Sequence, residues 1–240
     1  MTTASQPRIR DLTRPAPKGL TVSVASHPAT DLLLTLMAFD WDDLTDYDLG
    51  QEWFDELRAK VSDDTKEALK ATTLNRSKIW SAFFRLVNGG PDGESVDEFL
   101  ARLEDTGATE IRTTLVGSFV DPEKVDRATV EAAAAGDEAS IDAVVSCCED
   151  LADLADDLKE LFSRDAEDGK RDLLKSLKGF HTEAFAPIEA QIARANERDA
   201  RGKQAMVATM SAERVFEEAT NGITVEPAWG VRSVLLVPTA

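Results

Sequence analysis

Cys147 and Cys148 stand side by side and are the chain's two thiols. A soft metal needs three or four converging ligands, and a reactive thiolate needs an electropositive setting. Glu149 and Asp150 follow directly, which disfavours a thiolate at Cys148, and no histidine is near in sequence. Helical neighbours point about 100° apart and do not bridge. Cys148 falls on the apolar face of its predicted helix, so both cysteines read as structural. Two thiols build no disulfide framework, which fits a reducing compartment. His27 and His181 are the two histidines. A zinc enzyme or a histidine-based hydrolase needs partners that do not occur at useful spacing around them. Neither Gly-x-Gly-x-x-Gly nor a phosphate-loop motif is present.

Two acidic groups invite a metal. Asp40, Asp42, Asp43, Asp46 and Asp48 precede Gly50. With Asp46 as first and Asp48 as third calcium ligand, Gly50 takes a ligand place and Leu57 replaces the closing glutamate. The stretch therefore reads as a solvated loop. The carboxylates between Glu138 and Phe162 lack the Glu-x-x-His pairs of metal-bridging bundles and read as a polar helix face. The expectation is no catalytic residue, no metal and no cofactor. Trp80, Phe83, Phe84, Phe180 and Phe185 are the aromatic residues of two central helices. They either line an apolar ligand pocket or pack as ordinary core.

The elements that must position these residues are mostly helices. Met1 to Gly19 contains Pro7, Pro15 and Pro17 with Arg8, Arg10, Arg14 and Lys18, and reads as a disordered basic tail. Leu20 to Ala25 alternates like a strand. Pro28 opens a helix, and Leu32 to Phe39 supplies its buried face. Helices are expected over Gln51 to Lys60, after Ser62, and over Ser77 to Val87. Another follows the Ser95/Glu98 capping box, and one runs from Asp121-Pro122-Glu123 to Gly136. The clearest pattern is Glu138 to Phe162, read as one helix. Ile141, Val144, Val145, Cys148, Leu151, Ala155, Leu158 and Phe162 share a face, with Asp142, Glu149, Asp153, Asp156, Asp157 and Glu160 largely away from it. A second long pattern, Leu173 to Ile192, contains Pro187, where a kink or break is expected. A last helix is expected over Gln204 to Ala219. Ile223, Val225 and Val234 to Val237 are β-like. The last run is apolar on both sides and calls for cover on both faces.

The predicted fold is mainly α, with a small sheet formed by Leu20–Ala25 and Val231–Val237. The divisions are a tail over 1–19, a strand plus helical domain over 20–220 and a C-terminal strand segment over 221–240. The chain has 45 acidic and 27 basic residues, a net charge of −18 and a 42% hydrophobic share. That share is globular. The charge disfavours a phosphate backbone or an anionic membrane as partner. No apolar run nears the length of about 20 residues that a spanning helix needs. The N-terminus lacks a signal-peptide stretch, so a cytoplasmic location is expected.

Leu20 to Leu33 with Tyr47 to Phe54, Asn221 to Pro227, and Trp229 to Pro238 together resemble the N-terminal region of bacterial ArsR-like transcription regulators of the long type. In that family a large helical domain precedes a winged helix-turn-helix. The resemblance implies an accessory domain that senses or dimerises, with DNA bound only through a C-terminal module beyond Ala240. No DNA-binding residue is expected within the 240 residues. The apolar strand at the end suggests a truncated protein. A homodimer and a small apolar ligand are the expected partners. The alternatives are a helical small-molecule-binding or enzyme domain and a helical protein-interaction scaffold.

Overall fold

The computed structural model describes residues 19–39, 50–73, 78–148, 152–225 and 231–239. The tail over 1–18 and the acidic stretch over 40–49 lie outside the described residues. The element order is β1 (Thr21–Val24), α1 (Pro28–Phe39), α2 (Gly50–Lys60), α3 (Asp63–Thr73), α4 (Lys78–Asn88), α5 (Val96–Asp105) and α6 (Ala108–Val116). It continues with α7 (Arg127–Ala134), α8 (Glu138–Cys147), α9 (Ala152–Ser163), α10 (Ala166–Phe180), a π-helical turn (His181–Phe185), α11 (Ala186–Thr209), α12 (Ala212–Ala219) and β2 (Ser233–Leu236). The fold is mainly α, and its sheet pairs the two predicted strands.

The chain forms two compact units. The larger holds Ser26–Arg198, and the smaller joins the stretch through Ala25 to Asp199–Leu236. In the smaller unit β1 and β2 run parallel, with Val22 beside Val234 and Val24 beside Leu236. Side chains alternate across a strand, so these four residues share one face. Leu236 is buried there. Thr21, Ser23, Ser233 and Leu235 share the other face, and Leu235 is 42% exposed. Among the described residues the expected cover on both faces of β2 is not seen: Leu236 lies on a buried side and Leu235 on an exposed one. The predicted helix over Gln204 to Ala219 is two pieces. Ser211 interrupts it, and its side chain accepts from the Arg214 N–H to cap α12.

In the larger unit, polar side chains set the helix boundaries. The Ser95 hydroxyl accepts from the Glu98 N–H while the Glu98 carboxylate accepts from the Ser95 N–H, closing the predicted capping box. Asp126, Asp137 and Asp165 cap α7, α8 and α10. The helix expected to start at Asp121 starts at Asp126 instead. Asp121 organises the turn before it, its side chain accepting from the Glu123 N–H and its carbonyl from the Val125 N–H.

The predicted helix from Glu138 to Phe162 is also divided. α8 ends at Cys147, and Cys148 leaves helical geometry at φ −106°, ψ 8°. α9 nevertheless packs Ala155 and Leu158 into the same apolar cluster as Val144 and Val145 of α8.

Pro187 lies at the second residue of α11, and the helical run neither stops nor simply kinks there. A proline ring presses on the carbonyl four residues earlier and offers that carbonyl no donor. The backbone widens by one residue just before it, and the Ala186 N–H donates to the His181 carbonyl in a π-type bond. The widened turn buries His181, Ala184 and Phe185 and turns Glu183 toward α3.

Glu183 then caps α3 across 121 positions of sequence, accepting from the Ser62 N–H at 2.6 Å and the Ser62 hydroxyl at 2.9 Å. The Thr65 hydroxyl donates to the same carboxylate at 2.9 Å. Gly179 makes the close approach possible: a Cβ there would lie 2.5 Å from the Thr65 Oγ1. These bonds, led by the Ser62 N–H, hold the Glu183 carboxyl below its ordinary value of 4.5.

Two outcomes are expected. Leu236→Lys should destabilise the fold by about 2 kcal/mol or more, while Leu235→Lys should stay within about 0.5 kcal/mol. Urea unfolding of both checks this, and a register one residue out would invert the order. Glu183→Ala should cost about 1 kcal/mol, the usual worth of a lost helix cap. Glu183 is the stronger acid when folded, so its contribution is full above pH 4.5 and fades as pH falls through the lowered folded value. Glu183→Gln should flatten that part of the pH–stability curve, and an unchanged acid limb contradicts the assignment.

Candidate functional site: a cavity between two cores

Among the described residues the larger unit contains two sizeable apolar cores, beside a small cluster of Ala38 and Phe54. The first gathers Leu32, Leu33 and Leu36 of α1 with Phe83, Phe99, Leu103, Ile111, Leu173, Leu177, Phe180 and Phe185. The second gathers Val116, Val130, Val144, Val145, Cys148, Ala155 and Leu158. α6 serves both, because Ile111 and Leu115 face the first and Val116 the second. Phe119 packs against each.

A cavity lies along this seam. Its volume is about 50 Å³, enough for a few waters. Its apolar wall includes Phe83, Ile111, Leu115, Phe119, Leu154, Leu158, Leu161 and Leu173. Its charged wall is Arg112, Asp157, Arg164 and Lys170. The cavity is partly open to solvent, and the unit's surface carries larger hollows. The one beside His181, about 300 Å³, is lined by Asp97, Glu104 and Lys178 among others, with Lys178 already paired to Glu104 at 2.8 Å.

The cations of the seam differ in their partners. Arg164 pairs with Asp172 and donates to the Ala71 carbonyl. Lys170 donates to the carbonyls of Glu104 at 2.6 Å and Thr106 at 2.7 Å, holding the end of α5. Arg112 is 8% exposed. Among the described residues its hydrogen bond is a single one, from Nη2 to the Arg164 carbonyl at 2.6 Å. Burial lowers its proton affinity, the nearby Arg164 adds to that, and Asp165 opposes it. A guanidinium stays charged even so. It carries five N–H donors, so most of its bonding capacity remains for the cavity.

Asp157 corrects the sequence reading. It was expected on the polar face, yet it is 3% exposed and lines the cavity. The reason is that α9 buries a wider arc than one stripe: Ala155 and Leu158 pack in the second core as predicted, while Asp157 shares its side of the helix with Leu154 and Leu161, which also line the cavity. Arg112 was not singled out at all. A signal was available: it sits in helical register with Ala108 and Leu115, both buried, so the 3.6-residue period places a cation on an apolar face.

The aromatic candidates go elsewhere. Phe180 and Phe185 are fully buried core, and Phe180 meets Phe39 edge to face with centroids 5.5 Å apart. Phe84 is partly buried against the same core. Of the four whose side chains are described, Phe83 lines the cavity; the side chain of Trp80 lies outside the described residues. His181 sits between Glu189, at 2.9 Å from Nε2, and Asp97, at 3.8 Å from Nδ1. His27 is buried at the start of α1. Among the described residues no three His, Cys, Asp or Glu converge as metal ligands. No described helix is long and apolar enough to cross a membrane.

The cysteines are free. Cys148 lies in the second core with its thiol 3.8 Å from the Phe119 carbonyl, and Cys147 packs beside that core. Burial pushes the Cys148 thiol pKa up, and Cys147 adds to the shift. Cys148 should therefore resist iodoacetamide in the native protein at neutral pH and react once urea unfolds it. Native-state alkylation of Cys148 at the rate of a free thiol would place it outside the core. Changing both cysteines to alanine should leave metal content unchanged.

Comparison with known protein families, with curated proteins and with solved structures finds no match for this chain.

Proposed function

We propose that the chain is the sensing part of a bacterial transcription regulator of the ArsR-like type, and that the cavity between the two cores receives the effector. One observation carries the sensing role: a buried arginine, held among the described residues by one hydrogen bond, lines a cavity with both an apolar and a charged wall. A purely structural arginine would be expected to spend its donors on the protein, because an underpaired buried charge is costly. The regulator assignment rests on the resemblance of the two end regions. The net charge of −18 fits a part that does not grip DNA by itself.

In this reading, DNA is bound by a winged helix that follows Ala240, and the regulator works as a homodimer in the cytoplasm. The chain performs no catalysis. Coupling would run through α10, which lines the cavity with Leu173 and continues through the π turn into α11. Regulation needs two packings with different ligand affinity, and distance alone does not establish it. The cavity equally suits a free-standing small-molecule-binding domain, so the test must separate the two.

The gene should continue past the codon for Ala240 into a winged helix-turn-helix. The longer protein should shift its promoter fragment in a gel at about 0.15 M salt, and the 240-residue chain should not. A stop codon after Ala240 with no DNA retention by any form removes the regulator assignment and leaves the small-molecule-binding domain. Salt-resistant, sequence-specific retention by the 240-residue chain itself overturns the division of labour proposed here.

A further inference from the structure

We propose that the hollow beside His181 binds a small primary amine, with its ammonium held by Asp97, Glu104 and the His181 Nδ1 and its apolar body laid on Leu100 and Ala101. This site is separate from the seam cavity and goes beyond the sensing role proposed for it.

The imidazole sets what the hollow accepts. His181 is 9% exposed, lines the hollow, and places its Nε2 2.9 Å from a carboxylate oxygen of Glu189 in α11. An ionised carboxylate only accepts, so the proton of the neutral ring sits on Nε2 and Nδ1 is left as a bare lone pair. Nδ1 then faces the Asp97 carboxylate of α5 at 3.8 Å. That is too long for a hydrogen bond, and both groups are acceptors. Such a pair calls for a donor that can serve both at once.

The rest of the wall is of the same kind. The Asp97 side chain is 89% exposed and free to close on a ligand. Glu104 accepts from the Lys178 ammonium at 2.8 Å through Oε2, which leaves its Oε1 for another donor. That pairing also spends the charge of Lys178. An ammonium has three N–H donors, and Asp97, Glu104 and Nδ1 can each accept one. Bonds of this charge-assisted kind are the stronger ones. The chain's net charge of −18 draws cations toward it.

Two features narrow the class. A bare metal ion needs three or four converging ligands, and among the described residues no three His, Cys, Asp or Glu converge. Lys178 stands in the same wall against a second positive charge, which favours a monoamine over a diamine. Leu100 and Ala101 supply an apolar lining, and the volume of about 300 Å³ admits a short chain or a single ring.

The test is isothermal titration of the 240-residue chain. It is run at about pH 8, where an ordinary imidazole is neutral, and at about 0.15 M salt. The probes are butylamine and benzylamine, the matching alcohols, benzyltrimethylammonium and zinc chloride. At least one amine should saturate one site per chain, with its alcohol and the trimethylammonium each about 10-fold weaker or more. Asp97→Asn, at an exposed position that does not threaten the fold, should weaken the amine about 10-fold and leave the alcohol unchanged. His181→Phe, which keeps a ring and removes the acceptor, should weaken the amine similarly. Should His181→Phe fail to fold, Asp97→Asn and the amine-to-trimethylammonium ratio decide the matter. Equal affinity for amine and trimethylammonium overturns the hydrogen-bonded ammonium and leaves general attraction to an acidic chain. Amine binding untouched by Asp97→Asn places the amine elsewhere and overturns the site. Zinc binding that Asp97→Asn removes, with no amine bound below about 10 mM, overturns the ligand class, and no binding by any probe removes the proposal. Each of these failures leaves the reading of the seam cavity as it stands.

Discussion

The larger unit depends on how one helical run passes Pro187. Proline cannot donate the helical hydrogen bond, and its ring crowds the preceding turn. The chain absorbs both problems in one wide turn and goes on as helix. That solution places Ala184 and Phe185 in the first core and aims Glu183 at the start of α3. α10, immediately before the turn, packs against α3, α5 and α6. Its seam with α3 is close because Gly179 has no Cβ to meet Thr65, and the Thr72 and Ser176 hydroxyls meet at 3.1 Å. A π turn often marks a functional position. Here its visible work is structural: it joins two helices and caps a third.

The cavity follows from serving two cores with one short helix. α6 is nine residues long and buries Ala108, Ile111, Arg112, Leu115 and Val116. Apolar groups fill both sides of it, but at the seam they do not meet fully, and Arg112 lines the gap. Packed interiors have few voids larger than a water. A void with a charged wall is therefore more informative than the filled aromatic core beside it. The ligand reading draws on this contrast.

The acidic surplus has a structural component. Asp126, Asp137, Asp165 and Glu98 each accept backbone N–H bonds at a helix start, where orphan donors and the helix dipole favour a carboxylate. Those bonds lower the proton affinity of Glu98, Asp126 and Asp137. Glu183 does the same from a distance. A chain of many short helices has many starts to satisfy, and local carboxylates satisfy them cheaply. Part of the net charge is thus a consequence of the architecture as well as a bar to nucleic-acid binding.

What was legible in the sequence is what neighbouring residues determine among themselves. Pro28 opening α1, the Ser95/Glu98 box, and the β period at the two ends that pair as β1 and β2 all rest on interactions within a few positions or on a plain period. The division of Glu138 to Phe162 was not legible, because a continuous apolar stripe reads the same whether one helix carries it or two. The burial of Asp157 was not legible either, because α9 faces both a core and a cavity and so buries a wider arc than its apolar stripe. Tertiary structure alone decided the capping of α3 by Glu183 and the closeness of Gly179 to Thr65, which join residues more than 100 positions apart. It also decided the cavity. A void belongs to no segment: it is the space that α6, α9 and α10 leave when each has buried its own apolar face. No local pattern encodes such a remainder, although a cation at Arg112, on the buried side of α6, marked where it would lie.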